Sequence, residues 1–211
     1  MEKNMGHMKT TKALSINNIV KIALLSALSF ILAIEPFRWT LPIFPVFLSL
    51  DVADLPAIIG LVTMGWVPAL WIAAIKNVLD ALITGPTAFG LGQMANFIFG
   101  ATYILTIHLI YRRKQNVISL AFGVAAATVV TAIVAAVFNY FVLIPVYAAI
   151  MIPMEVILNM AYQVNPAIDS LFGLVMLSII PFNLLKFGLS SIVGVIMYVS
   201  FRPILTMLKK K

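Results

Sequence analysis

Leu171 to Phe201 reads LFGLVMLSIIPFNLLKFGLSSIVGVIMYVSF, an apolar run whose one charged side chain is Lys186. A helix needs about 20 such residues to cross a bilayer. An ammonium at the centre of a spanning helix costs at least about 2.5 to 3.5 kcal/mol, so Lys186 is expected to face a cavity, a partner or a ligand rather than lipid. Asn183 stands three residues earlier, on the same helical face. Between the two readings open to this pair, a ligand site or a snorkelling lysine beside an interhelical amide, Pro181 favours the first. It frees a carbonyl and bends the helix locally.

The rest of the chain has the same character. Of its 211 residues 63% are hydrophobic and 10% charged, and its mean hydropathy is +1.09; soluble domains carry about 25% charged residues. Working back from the last span, apolar runs occupy Val117 to Pro145, Phe89 to Tyr111, Asp51 to Leu82 divided near Gly65-Trp66-Val67-Pro68, and Ile16 to Ile34. Six transmembrane helices result, in an all-α integral membrane protein. Phe37 to Leu50 carries prolines at 42 and 45 just after Pro36, and so reads as an irregular, greasy loop. Val146 to Ile168 reads as an outer loop with a short interfacial helix. The organisation expected is a polar N-terminus at 1–15, one membrane domain at 16–208 and a basic tail at 209–211. The first run ends at Glu35-Pro36 without a small-residue cleavage site, which marks a retained helix rather than a signal peptide.

Charge sets the orientation. Eleven of the 14 Lys and Arg (Lys3, Lys9, Lys12, Lys21, Arg112, Arg113, Lys114, Arg202 and Lys209 to Lys211) fall on one side if the chain crosses six times, and all acids but Glu2 fall at the other. Both termini are then cytoplasmic. The net charge of +7 follows from this topology, and a nucleic-acid partner is not called for.

The chemistry available is narrow. There is no cysteine, which excludes disulfides and thiolate sites. His7 and His108 are the only histidines, and HExxH, GxSxG and GxxxxGK[ST] are all missing. Metalloprotease, serine-hydrolase and Walker-type ATPase chemistry thus have no basis here, and neither a catalytic residue nor a metal site is assigned. What the sequence offers is polar residues set in apolar surroundings. Asn139 lies between Phe138 and Tyr140-Phe141, where it can read the edge of a flat heterocycle or bond a neighbouring helix. Lys76 and Asn77 are placed near the end of the third span, and Gln93 and Asn96 in the fourth; solvation at loop ends is the plainer reading of all four. Asp51 and Asp54 open the second span, where N-capping is the expected role. Ala23 and Ala27, beside Ser26, form a small-residue face that suits close helix packing, inside the chain or on a partner.

Taken in order, Leu50-Asp51-Val52-Ala53-Asp54-Leu55-Pro56, Lys76-Asn77, Gln93-Met94-Ala95-Asn96-Phe97, Phe138-Asn139-Tyr140-Phe141, Asn165-Pro166-Ala167-Ile168 and Pro181-Phe182-Asn183-Leu184-Leu185-Lys186 resemble the riboflavin-specific substrate-binding (S) components of energy-coupling factor (ECF) transporters. The similarity runs from about residue 18 to 205. It implies a six-helix vitamin-binding protein of the bacterial cell membrane, open to the outside and covered by the loop after the first helix. Asn139, Asn183 and Lys186 would surround the flavin ring; Asp51, Lys76, Asn77, Gln93 and Asn96 transfer less securely. Trp39, Thr40, Phe44 and Phe47 of the loop are expected to close over the ligand. The resemblance further implies a transmembrane coupling protein and two cytoplasmic ATPases as partners, with Ala23 and Ala27 docking on the coupling protein, and riboflavin as cargo rather than cofactor. Another small vitamin, such as thiamine or pantothenate, and a stand-alone facilitator are the alternatives.

Overall fold

The computed structural model describes residues 16–209. The N-terminal segment 1–15, with Lys3, Lys9 and Lys12, and the last lysines, Lys210 and Lys211, lie outside the described residues; Lys209, assigned to the tail, is the last residue of a helix.

Helix α1 (Ile16–Ile31) leads through turns into a loop, then α2 (Leu55–Met64) and α3 (Trp66–Ile83). A 3₁₀ turn at Thr87–Gly90 enters α4 (Leu91–Tyr111), followed by α5 (Val117–Phe138), α6 (Ile144–Ile150), α7 (Met154–Val164), α8 (Leu171–Leu174) and α9 (Ile180–Lys209). Among the described residues four helical runs are long and apolar enough to cross a membrane: Trp66–Ile83, Leu91–Tyr111, Val117–Ile150 and Leu171–Ser200. The apolar helices α1 and α2 are shorter. At 10 residues, α2 rises about 15 Å, half the hydrocarbon thickness. Seven of its residues are buried. Protein rather than lipid surrounds it, and that setting tolerates a partial crossing. The division foreseen near Gly65 is sharp: Gly65 takes φ +103°, a conformation side-chain-bearing residues avoid, and it ends α2 while starting α3.

Pro145 does not end the fifth span, contrary to expectation. The helix continues to Ile150 through a π turn at Asn139–Leu143, and the last span holds a second at Val175–Ile179. Each precedes a proline by two residues, Pro145 and Pro181. A proline has no N–H to give the carbonyl four residues back, and its ring crowds that carbonyl. Those carbonyls belong to Phe141 and Leu177, both inside the widened turns, so the helix passes the proline without breaking.

The loop after α1 is irregular except for a two-residue antiparallel pairing, β1 (Trp39–Thr40) with β2 (Ser49–Leu50), in which Trp39 faces Leu50. Phe44, Leu50 and Phe182 form a small apolar cluster that fastens this loop to α9; the Phe44 and Phe182 rings meet edge to face at 5.4 Å. The main core lies between α2, α3, α4, α5 and α9, around Ile72, Tyr103, Ile107, Leu120 and Phe187. Gly123 lets α5 approach the backbone of α4 at Ile107, whose carbonyl oxygen would stand 3.4 Å from a Cβ there. A second core gathers under α7, with Ile157 and Ala161 against Leu174 and Ile179. It holds the segment after α6 over one end of the bundle.

Candidate ligand-binding site

At that end lies a cavity bounded by the covering loop, α3, α4, the Asn139 π turn and the start of α9. Lys186 is buried in its wall, 9% exposed, and its Nζ is 2.8 Å from Asp51 Oδ2. Lys76, 6% exposed, stands 2.8 Å from Asp54 Oδ1. Two acids expected to cap a helix are therefore counter-ions instead. Asp54 occupies the N-cap position of α2 but makes no side-chain capping bond; Asp51 uses its other oxygen to accept from Ala53 N–H at 3.0 Å. The cause is the setting. A capping bond satisfies one amide, whereas a buried ammonium left without a carboxylate costs far more. The pairs also fix the architecture, joining the base of the covering loop to α9 and the start of α2 to α3.

Lys76 and Asn77 do not sit at a solvated loop end. Helix α3 continues to Ile83, which places both residues inside the helix and buries them. Three asparagines around the cavity behave alike: Asn77 Nδ2 donates to Ala73 O at 2.8 Å, Asn139 Nδ2 to Ala135 O at 2.7 Å and Asn183 Nδ2 to Ile179 O at 2.8 Å. Because a carbonyl can only accept, the nitrogen must face the helix. One amide N–H is used, and the carbonyl oxygen and second N–H of a cavity-lining residue are left over. Gln93 is spent differently. Its Nε2 donates to Asp80 Oδ2 at 2.8 Å and its Oε1 accepts from Thr87 N–H at 3.1 Å, latching the turn before α4 to the end of α3.

Of the residues singled out from sequence, Asp51, Lys76, Asn77, Gln93, Asn96, Asn139, Asn183, Lys186 and Phe47 line the cavity. Trp39, Thr40 and Phe44 do not belong to its lining. Trp39 and Thr40 are exposed on the strand pair, and Phe44 is consumed by packing on Phe182. Asp54, Asp80, Phe99 and Tyr147 line it without having been assigned a ligand role. For Asp80 a signal existed: it follows Lys76 by four residues, which puts both on one face of α3. Ala23 and Ala27 lie far from the cavity in character as well as place, exposed on α1 while Ile22, Ser26, Ser29 and Phe30 of the same helix are buried. Packing inside the chain is thus not their role.

A hollow in an apolar bundle, lined by amides and paired ions, is suited to holding a small polar-edged ligand. The family model for the ECF transporter substrate-specific component matches residues 17–198. This chain belongs to that family.

The S component is 34% identical to the riboflavin transporter RibU of Staphylococcus aureus over 180 residues, covering 85% of this chain and 87% of that one. It is 28% identical to the riboflavin transporter FmnP of Bacillus subtilis over 193 residues, covering 90% and 94%. A solved S component of a bacterial ECF transporter superposes with a TM-score of 0.70 at 32% identity, covering 90% of this chain and 97% of the other. The named relatives are transporters and not enzymes, and this protein is likewise a membrane-embedded transporter component.

Proposed function

We propose that this S component captures riboflavin at the outer face of the bacterial cell membrane, crosses it six times with both termini in the cytoplasm, and delivers the vitamin inward together with a transmembrane coupling protein and two cytoplasmic ATPases. The observation that carries the reading is the convergence of Asn139, from the π turn after α5, with Asn183 and Lys186, from the start of α9, on one buried cavity. The pyrimidine edge of the flavin ring presents a carbonyl, an N–H and a second carbonyl. An amide that has already spent one N–H on its own helix can still accept from the ring N–H and donate to a ring carbonyl, and the ammonium of Lys186 keeps donors after meeting Asp51. Phe99, Phe182 and Phe187 supply apolar wall for the ring faces. The riboflavin transporters among the relatives support the same ligand. For the topology, the support is that Arg112 to Lys114 follow α4 at the end away from the cavity, while Asp51, Asp54 and Asp80 line the cavity itself.

Riboflavin fluorescence is expected to fall on titration with the purified protein, saturating at one ligand per chain. In a thermal-shift panel riboflavin alone should stabilise; at a hundredfold excess over Kd the gain is about 2.7 kcal/mol. Stabilisation by thiamine or pantothenate but not by riboflavin would replace the ligand. Vesicles holding this chain alone should show no riboflavin uptake, and uptake there would replace the coupled mechanism with a facilitator.

The amides give a finer test. Asn139→Ala and Asn183→Ala should each weaken riboflavin binding by roughly tenfold to a hundredfold, the worth of one or two hydrogen bonds in a desolvated site. Unchanged affinity in both variants removes the amides from the site.

A further inference from the structure

We infer that Asp80 reads the polyol tail of the ligand and sets the preference for an uncharged tail over a phosphorylated one; this rests on the flavin reading above. Three carboxylates line the cavity, Asp51, Asp54 and Asp80. The first two are each held 2.8 Å from a lysine. Asp80 has no ion-pair partner within 4 Å among the described residues. The side chains within hydrogen-bond reach of it are neutral: Oδ2 accepts from Gln93 Nε2 at 2.8 Å, and Thr84 Oγ1 stands 2.9 Å from Oδ1 and 2.6 Å from the Asp80 carbonyl, sharing its one hydrogen between them. Lys76, one turn earlier on α3, gives its ammonium to Asp54. Arg38 lines the same cavity from the covering loop, and its Nε donates to Ser49 Oγ at 2.6 Å.

An ionised carboxylate only accepts, and has about four lone-pair positions. At most two are used, so Asp80 keeps acceptor capacity for hydroxyl donors. Its place is distinct from that of the ring-reading groups. Asp80 and Gln93 come from the wall made by α3 and α4, about 6 Å along α3 from Lys76 towards the Thr84–Gly90 turn, whereas Asn139 and Asn183 come from the wall made by the α5 extension and α9. A ligand with an amide-like edge at one end and a run of hydroxyls at the other matches both walls. Hydroxyls donate to Asp80. A phosphate ester at the end of that chain brings acceptors and a like charge, which the carboxylate repels.

The test is Asp80→Asn, titrated with riboflavin, with lumiflavin, which has the ring without the polyol, and with riboflavin 5′-phosphate. Riboflavin affinity should fall about tenfold, lumiflavin affinity should stay within about twofold, and the preference for riboflavin over its phosphate should narrow by a similar factor. Retained lumiflavin binding shows at the same time that the variant is folded. Equal loss of all three ligands makes Asp80 a brace for Gln93 and the turn, and overturns the inference; so does an unchanged preference between riboflavin and its phosphate. Wild-type protein that binds none of the three sinks the flavin reading first and this inference with it.

Discussion

Lys186→Met should weaken riboflavin capture by roughly tenfold to more than a hundredfold and destabilise the protein at once. The ammonium is 9% exposed and 2.8 Å from Asp51; taking it away leaves a carboxylate inside the bundle with its counter-ion gone. Breaking a buried pair in this way costs about 3 to 5 kcal/mol of stability. Binding loses a charged donor to the ring, worth about 1.5 to 3 kcal/mol, roughly a tenfold to more than a hundredfold in affinity. The two effects separate in a second variant. Asp51→Leu combined with Lys186→Met replaces both ions by apolar groups, which in other proteins is neutral or stabilising, so its thermal transition in detergent should return towards that of the wild type. Its riboflavin affinity should not return. If the single variant titrates riboflavin with wild-type affinity, Lys186 is a structural cation and the ligand lies elsewhere.

Lys186 is legible from sequence and the role of Asp51 is not, for one physical reason. A lysine within an apolar run is costly wherever the chain goes, so its local setting alone points to a cavity. A pair of acids at the head of a helix has a cheap local use, capping, and the local reading takes it. What overrules that reading is a partner 135 residues away, and no periodicity carries that distance. Lys76 and Asn77 show a smaller limit: the run to Leu82 matches the helix to within a residue, but polar residues in its last two turns read as solvated, and only the neighbouring elements around the cavity bury them. The loop aromatics show a different limit. Helices and strands repeat at 3.6 and 2 residues, so their inward faces can be counted; Phe37 to Leu50 has no such repeat beyond a two-residue pairing, and nothing in the sequence says that Phe47 turns to the cavity while Phe44 turns to Phe182. The π turns leave a trace in the sequence, a proline two residues after each. Pro181, inside a long apolar run, reads as a local bend; Pro145, with the same spacing from its widened turn, reads as an end because polar residues follow it.

Ala27→Trp should leave riboflavin binding within about twofold and reduce uptake in the presence of the coupling module by more than tenfold, the loss being steric since a close helix contact is built on small side chains. The argument starts from which side of α1 the rest of the chain uses. Ile22, Ser26, Ser29 and Phe30 are buried; Ser29 Oγ donates to the Ala53 carbonyl just before α2, and Ser26 returns its hydroxyl to Ile22 O at 2.7 Å. Those contacts fix one face inward. Ala23 and Ala27 are exposed, four residues apart, so an indole added there meets neither the core nor the cavity, and the isolated protein should bind as before. A partner helix approaching that face would need its backbone near α1, and the indole holds it off. Val129→Trp is the control, a large side chain added at another exposed apolar position, on α5; it should leave both binding and uptake unchanged. Wild-type uptake and co-purification of the coupling protein with Ala27→Trp would move the docking face away from α1, while equal loss with Val129→Trp would mean that bulk anywhere on the bundle surface impairs transport and that α1 holds no special place.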